Sequence, residues 1–355
     1  MKRLLSLLLL STSVSAGSFL PPPCPNARYG VFEIQFDFLY LRTSASDYLY
    51  AIEDNRPFTT AAEVASRLPA GRSVRLDPDG ALGFRGSLGY LTCRCSQDLT
   101  LVYSTLSDAE KEEKTPEALA GGFWPLFAHP RYMNQTPLYS PNLLDTDPAR
   151  VLADGSFDWD AVELQLGKRT KVRRCAQLRG FASLYYVHLR NGLDTAYEGF
   201  IDPSQDRFLA AHVDFDGKTW GVGPRIGFDL SQRIWCGLGV SAHFAGGLLA
   251  GRMESKLFET VAETLGGLIQ FEEELAVLDH SRAILFPNIS GALAVNYTYI
   301  CENFFAFIAE VGYEYTSYIN VVRDPTRYND QRGTRTQNCG NFDLNGIYVR
   351  LKVRM

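Results

Sequence analysis

The sequence lacks the features of several common functional classes. It carries no excess of positive charge, since 35 Lys and Arg stand against 40 Asp and Glu for a formal net charge of −5, and nucleic acid is therefore not an expected partner. Histidine is scarce, with 5 residues. Cys93 and Cys95 form the one close cysteine pair, and no second pair lies at the spacing of a zinc site. The sequence predicts no metal and no cofactor.

The sequence also lacks a long hydrophobic run after its N-terminus. The nearest candidate, residues 234–251, contains five glycines and places His243 at its centre. Glycine weakens a helix, so this segment is not expected to cross a membrane as one.

The first sixteen residues form the one segment with an export signal. Two basic residues precede a short leucine-rich run and the small-residue site Val14-Ser15-Ala16. This order predicts a secretory signal peptide over residues 1–16, cleaved after Ala16. We expect residues 17–27 to form a short periplasmic segment and residues 28–355 to form one domain.

Gly221, Gly223 and Gly227 do not match a dinucleotide-binding loop. That fingerprint requires G-x-G-x-x-G before a helix, whereas here the third glycine comes one residue too late and Pro224 interrupts the run. The glycines instead alternate with apolar residues from Trp220 onward. A period of two predicts a strand with one apolar and one polar face.

Similar alternation recurs along the whole chain and predicts an all-β fold. The first such segment alternates aromatic residues with Glu33, Gln35 and Asp37, and the last alternates up to Met355. Ten segments follow the pattern: residues 28–42, 82–91, 99–106, 157–167, 176–189, 219–230, 234–249, 285–299, 304–318 and 344–355.

The connections between these segments fall into two length classes. Short polar turns alternate with long connections, namely residues 43–80, 107–156, 191–218, 252–282 and 319–341. Short periplasmic turns and long extracellular loops are typical of outer-membrane barrels. The sequence therefore predicts a transmembrane antiparallel β-barrel of 10–12 strands.

Two of the long connections contain segments with helix-compatible spacing. Residues 104–122 have a helical charge pattern, and residues 255–278 space apolar residues four apart. Each is expected to form a surface loop or a helix folded into the barrel mouth. The second could instead form an extra hairpin, which would raise the strand number to twelve.

Seven stretches of the chain resemble, in order, those of a known family. They include "FEIQFDFLYLRT", "AVELQLGK", "KTWGVGPRIGFDL", "CGLGVSAHFAGGLLAG" and "VGYEY". The more specific pieces are the block from Trp220 to Arg225 and Gly312-Tyr313-Glu314. The chain resembles the Legionella-type major outer membrane protein family of pore-forming barrels, whose members also occur in chlamydia-related bacteria. The resemblance implies a porin-like protein of the bacterial outer membrane.

The inward faces of the predicted strands carry charges of both signs. Such residues line the lumen of a pore and set its selectivity, and they can also pair and fill a narrow barrel. The lumen-lining candidates are Glu33, Asp37, Arg85, Glu163, Arg179, Arg225, Glu310, Glu314 and Arg350.

The seven cysteines are distributed unevenly between the two ends of the predicted barrel. Six lie before the first strand or at the short turns, and the seventh lies toward the loop end: Cys24, Cys93, Cys95, Cys175, Cys236, Cys301 and Cys339. Exported proteins favour disulfides, and an odd number suggests an intermolecular bond or a free thiol. One interpretation is cross-linking to other envelope proteins, as in chlamydial envelopes. The others are staples between neighbouring turns, and free thiols.

These observations favour an outer-membrane channel for passive diffusion of small polar solutes or ions. Its expected partners are the lipid of the outer membrane and either disulfide-linked envelope proteins or further copies of the same chain. One alternative is a plugged structural or adhesive envelope barrel. A less favoured alternative is an omptin-like rim protease, for which His212, Asp214 and the Asp279-His280 pair are the candidates. The chain is expected not to be an enzyme.

Overall fold

The computed structural model describes most of the chain as β-strand. The described residues are 30–45, 49–54, 71–76, 79–92, 96–115, 122–125, 138–139, 149–173, 175–202, 207–235, 237–301, 305–323, 327–329, 334–336 and 339–355. The predicted signal peptide and periplasmic segment lie outside them.

Ten long strands form the main structure, and each overlaps one of the ten predicted segments. Their bounds are β1 Val31–Ala45, β4 Ala81–Thr92, β5 Gln97–Lys114, β8 Arg150–Arg173, β9 Ala176–Asp202, β10 Arg207–Trp235, β11 Leu238–Leu265, β12 Leu268–Cys301, β13 Phe305–Arg323 and β16 Cys339–Arg354.

The ten strands close into an antiparallel ring. Each pairs with its predecessor and successor among the ten, and the last strand, β16, pairs with β1 from Glu33↔Arg354 to Ala45↔Phe342. Closure leaves no unpaired edge among the ten, which a membrane requires because lipid offers no hydrogen-bonding partner. The predicted barrel is confirmed, with ten strands. No helix in the described part of the chain is long and apolar enough to cross a membrane.

An outward-facing apolar band marks the part of the barrel that crosses the membrane. On β1 the band runs from Phe32 to Tyr40, and Phe36 and Phe38 between them are also exposed. Nine residues of strand span about 30 Å, which suits a tilted strand in a bilayer. The start of β1, the end of β16 and the strand ends that the short turns join lie at one end of this band, which is therefore the periplasmic end.

Beyond the membrane band, the apolar and polar faces of the strands exchange sides. On β10, Ile226 and Phe228 face outward, whereas Val213 and Phe215 nearer the extracellular end face inward and are buried. The exchange has a simple physical cause. The barrel exterior contacts lipid within the membrane and water above it, so the extracellular part buries its apolar side chains inside.

The exchange of faces explains where the sequence-based boundaries were wrong. Residues 191–218 and 252–282 were expected to be long loops, but residues 191–202, 207–218 and 252–282 continue β9 to β12 above the membrane. Residues 255–278 form the end of the β11–β12 hairpin around Gly266-Gly267, so they contribute neither a helix nor an additional pair of barrel strands. Residues 104–114 of the other helix-compatible segment belong to β5.

Short strands form in the remaining long connections. They are β2 Leu49–Asp54, β3 Arg72–Arg75, β6 Gly122–Pro125, β7 Leu138–Tyr139, β14 Arg327–Asn329 and β15 Thr334–Thr336. The inward-facing Tyr197 of β9 donates a hydrogen bond to the backbone oxygen of Tyr50 in β2 at 2.8 Å. Both tyrosines are fully buried, so the first long connection packs against the interior of the barrel wall.

A bulge in β13 brings backbone into the lumen. Tyr318 pairs with Phe342 and Val322 with Gly340, so β13 advances four residues while β16 advances two. Asn320 takes a positive φ of 60° within this bulge. The backbone oxygen of Val321 accepts a hydrogen bond from Thr219 Oγ1 at 2.8 Å. Because Thr219 belongs to β10, three strands away around the ring, the bulge reaches across the lumen.

Gly223 of β10 allows the backbone of β11 to approach closely. A Cβ atom there would lie 2.1 Å from the backbone oxygen of Leu248, whereas a Cβ on Gly180 would meet nothing within 4 Å. We predict that Gly223→Ala lowers the temperature at which the barrel unfolds. Semi-native electrophoresis measures this temperature, because the folded and unfolded forms migrate as separate bands. Gly180→Ala is the matched control, because replacing a strand glycine by alanine reduces the backbone conformational entropy of the unfolded chain in the same way. An equal change in both variants would contradict this prediction.

Candidate functional site

The lumen is the candidate functional site. A cavity of about 340 Å³ lies inside the barrel, between the periplasmic mouth and the middle of the membrane band. All nine lumen-lining candidates occupy inward-facing positions: Glu33, Asp37, Arg85, Glu163, Arg179, Arg225, Glu310, Glu314 and Arg350. Eight of them line the cavity, and Asp37 is fully buried behind Arg85 and Arg350.

The first ion-pair cluster is centred on Asp37 of β1. Arg350 of β16 donates to Asp37 at 3.0 and 2.9 Å, and Arg85 of β4 lies 3.3 Å away. Arg85 also forms a bidentate pair with Glu314 of β13, at 2.7 and 2.8 Å. Arg350 reaches Glu310 at 2.8 Å. The cluster therefore connects four neighbouring strands through charge-assisted hydrogen bonds.

A second cluster lies nearer the periplasmic mouth. Arg169 of β8 forms a bidentate pair with Glu33 of β1 at 2.8 Å for both bonds and also donates to Asp98 of β5 at 3.0 Å. Asp98 accepts from Arg179 of β9 as well, at 2.5 and 2.8 Å. Arg354 is a further partner of Glu33. Arg169–Asp98 and Arg354–Glu33 join adjacent strands. The Arg169–Glu33 pair instead joins β8 to β1, three strands away around the ring, so it reaches across the lumen.

A histidine belongs to the same polar wall. His243 Nδ1 lies 2.6 Å from Asp229 Oδ1 and its ring stacks on Phe181 at a centroid distance of 5.8 Å. Asp229 also accepts from Arg179 at 2.8 Å. His243 therefore faces the lumen and is hydrogen-bonded there.

Arg225 of β10 lies deep in the cavity. Its guanidinium donates to Glu163 at 3.2 Å and contacts Ser290 of β12. The guanidinium carbon lies 4.7 Å from the centroid of the Tyr185 ring, a cation–π distance. Within the described part of the chain, the Arg225 Nε atom has no hydrogen-bond acceptor.

An aromatic layer closes the cavity on its extracellular side. Trp159 of β8 donates its indole N–H to the Tyr318 hydroxyl at 2.8 Å, and the hydroxyls of Tyr318 and Tyr185 lie 2.5 Å apart. All three side chains are buried. Because β8 and β13 lie on opposite sides of the ring, these bonds join opposite walls. The lumen is closed at this level in the described conformation.

Several important lumen residues were missed in the sequence. Arg169 and Asp98 lie just outside the predicted strands, at positions that continue the pattern in which every second side chain faces inward. Extending the alternation by two residues would have identified them. Trp159 and Tyr318 also occupy inward-facing positions of the alternation, but the alternation does not show that aromatic side chains from opposite walls meet in the lumen.

The cysteines are described only in part. Cys175 lies exposed in the turn between β8 and β9 as a free thiol. The backbone of Cys301 ends β12 at the periplasmic end, and that of Cys339 begins β16 toward the other end. Cys24, Cys93, Cys95 and Cys236 lie outside the described residues. The predicted distribution between the two ends stays a prediction for those four.

The protease candidates that can be placed lie on the outer surface of the extracellular extension. His212 Nδ1 of β10 lies 3.2 Å from Asp194 Oδ1 of β9, and both side chains are about half exposed. Burial raises the pKa of Asp194; protonated His212 opposes this shift, and the carboxylates of Asp214 and Asp154 add to it. The side chains of Asp279 and His280 lie outside the described residues. Among the residues that the structure describes, no three or more His, Cys, Asp or Glu side chains are grouped to hold a metal ion.

Comparison with known proteins yields one family and several distant structures. Residues 23–355 match the family model of the Legionella pneumophila major outer membrane protein precursor. No curated protein matches the chain. The outer membrane protease OmpT from Escherichia coli aligns at 12% identity over 96% of this chain and 99% of its own, with a TM-score of 0.39. The P. putida toluene transporter TodX aligns at 10% identity over 92% and 89%, with a TM-score of 0.28.

The shared carboxylate of Asp98 generates a prediction about stability. Asp98→Asn leaves Arg169 and Arg179 without their common anion in a buried site, so we expect the free energy of unfolding to fall by about 3–5 kcal/mol. Asp216→Asn removes the more exposed partner of Arg190 and Lys218 and is expected to cost at most about 1 kcal/mol. Denaturant unfolding in lipid vesicles, followed by tryptophan fluorescence, measures both. Equal losses would refute the structural importance of the lumen network.

Proposed function

This chain belongs to the Legionella pneumophila major outer membrane protein family, and we propose that it is a gated outer-membrane channel for passive diffusion of small polar solutes. The polar cavity carries the proposal. Its wall is built from charged and hydroxyl-bearing side chains within a closed barrel whose outer face is apolar. Such a lumen replaces the hydrogen bonds that a solute loses on leaving water.

The aromatic layer supports a gated rather than a constantly open channel. A solute in the cavity meets Trp159, Tyr185 and Tyr318, which are hydrogen-bonded to one another across the lumen. The β13 bulge lies directly above Tyr318 and is held by the hydrogen bond from Thr219. Passage requires Tyr318 and the bulge to move away from β8 and β10. The gate in this proposal is therefore the bulge of β13 with its tyrosine.

We also propose that the protein is not an enzyme. His212 and Asp194 face outward from neighbouring strands and are well exposed, so they line no concave pocket of the kind in which substrates are usually bound. This argument concerns the candidates that the structure describes.

A structural envelope barrel is the second candidate function. The cross-lumen bonds favour it, because the same contacts that form a gate would form a permanent plug if they did not open. The exposed thiol of Cys175 at the periplasmic end is available to a partner. In this candidate, disulfides to other envelope proteins carry the function.

Single-channel recording in a planar bilayer tests the gate. Wild-type protein is expected to open rarely. Tyr318→Phe keeps the ring but removes the hydroxyl, and each lost hydrogen bond contributes about 1 kcal/mol to the closed state. We therefore predict that the open probability rises by about tenfold or more.

Tyr313→Phe is the matched control for this experiment. Tyr313 lies on the same strand but faces outward, and its hydroxyl donates to Asn345 at 3.0 Å. Its loss should leave the open probability unchanged. If folded wild-type and Tyr318→Phe barrels both stay silent, the channel proposal fails and the structural candidate replaces it.

Electrophoresis of envelope fractions without reductant tests the role of Cys175. We predict covalently linked species whose amount falls in Cys175→Ser and not in Cys339→Ser, because the backbone places these cysteines at opposite ends of the barrel. Persistence of the same species in Cys175→Ser would exclude this thiol as the linking residue.

A further inference from the structure

The periplasmic half of the lumen has a charge opposite in sign to that of the whole chain. Nine Lys and Arg side chains line the cavity against five carboxylates. The buried Asp37 and Asp98 behind the wall raise the number of carboxylates to seven and still leave an excess of cations. The complete chain has a formal net charge of −5, so the positive charge is concentrated in the lumen.

The excess is greatest at the periplasmic mouth. Glu33 is the shared partner of Arg169, Lys352 and Arg354, and the Lys352 Nζ atom lies 3.6 Å from it. Lys171 also lines this part of the cavity. Arg169 also pairs with Asp98, and Arg179 pairs with both Asp98 and Asp229. Three carboxylates therefore face five cations in this part of the lumen, and the mouth keeps a positive potential. The cations are Arg169, Lys171, Arg179, Lys352 and Arg354.

The deep end of the cavity offers a further donor. Arg225 is nine-tenths buried, with a side-chain exposure of 7%. Two of its nitrogens contact Glu163 and Ser290, whereas its Nε atom has no acceptor among the described residues. A buried guanidinium N–H without an acceptor is unfavourable. An oxygen of a bound anion would satisfy it.

We propose that this vestibule, lined by Lys171, Arg225, Lys352 and Arg354, binds small anions that carry phosphate or carboxylate groups. Arginine binds both groups through paired hydrogen bonds. The apolar barrel wall and the aromatic layer exclude water and salt ions from most sides of the vestibule, so the positive potential is screened less there. The potential is therefore concentrated along the barrel axis. Transport of such anions rests on the proposed channel function, but their binding does not.

Equilibrium dialysis of refolded full-length protein in detergent against radiolabelled inorganic phosphate tests the proposal. At an ionic strength of about 10 mM the Debye length is about 30 Å, and at about 150 mM it is about 8 Å. We expect saturable phosphate binding at low ionic strength that weakens as sodium chloride is added. Labelled calcium, measured in parallel, should not bind in the vestibule. Two outcomes would overturn the proposal. One is the absence of phosphate binding. The other is calcium binding that phosphate does not reduce and that is unchanged in Lys171→Gln.

A charge-removal variant locates the site. Lys171→Gln with Lys352→Gln should weaken phosphate binding by about tenfold or more, since binding depends on the charges at the mouth. Lys218→Gln is the control, because Lys218 lies on the outer surface of the extracellular extension beside Asp216. Equal affinity in the double variant and the wild type also overturns the proposal. Should the double variant not fold, the phosphate and calcium measurements on the wild type still decide it.

The result is independent of the conductance measurement. Phosphate binding to a barrel that stays silent in the bilayer would reject the channel and retain the anion site. Conducting channels without phosphate binding would reject the anion site and retain the channel.

Discussion

The pairing of β16 with β1 is the contact on which the rest of the structure depends. Until the last strand meets the first, two strands present unpaired backbone groups, which lipid cannot satisfy. The same pairing sets the polar lumen, because its register places Asp37 opposite Arg350 and Glu33 opposite Arg354. A slip by one residue would turn Arg350, Lys352 and Arg354 of β16 toward lipid. Barrel closure and lumen chemistry are therefore determined by one register.

The outer surface of the barrel contacts lipid within the membrane and water above it, and this difference explains how much of the fold could be predicted from the sequence. Within the membrane, lipid requires apolar residues outside and leaves polar residues inside, and this contrast identified all ten strands. Above the membrane the requirement reverses, as Val213 and Phe215 show in β10. A search for one continuous apolar face stops where the faces exchange. The extracellular extensions of β9 to β12 consequently looked like loops, although buried and exposed side chains keep alternating in the described extensions of β9, β10 and β11.

The candidate site was predictable in composition but not in connectivity. Parity alone assigns Arg85 and Glu314 to the lumen, yet their 229-residue separation in sequence gives no indication that they form a bidentate pair. That contact depends on the order and number of the strands around the ring, because these determine which strands face each other across the lumen. The Tyr318 layer was hidden for a related reason. Tyr318 meets Trp159 and Tyr185 from strands far from β13 around the ring, and no local pattern distinguishes the two-residue bulge that follows Tyr318 from a regular strand.

Ten strands enclose a narrow interior, and this places stability and permeation in competition. In a small barrel the inward side chains are long enough to meet across the axis, so ion pairs such as Arg169–Glu33 stabilise the wall by occupying the path. A solute can pass only if some of these contacts open at modest cost. Buried ion pairs are costly to break, whereas the hydrogen bonds of Tyr318 are neutral and individually weak. In the proposed channel, the aromatic layer is therefore the part of the lumen that opens, while the charged clusters hold the barrel wall together around it.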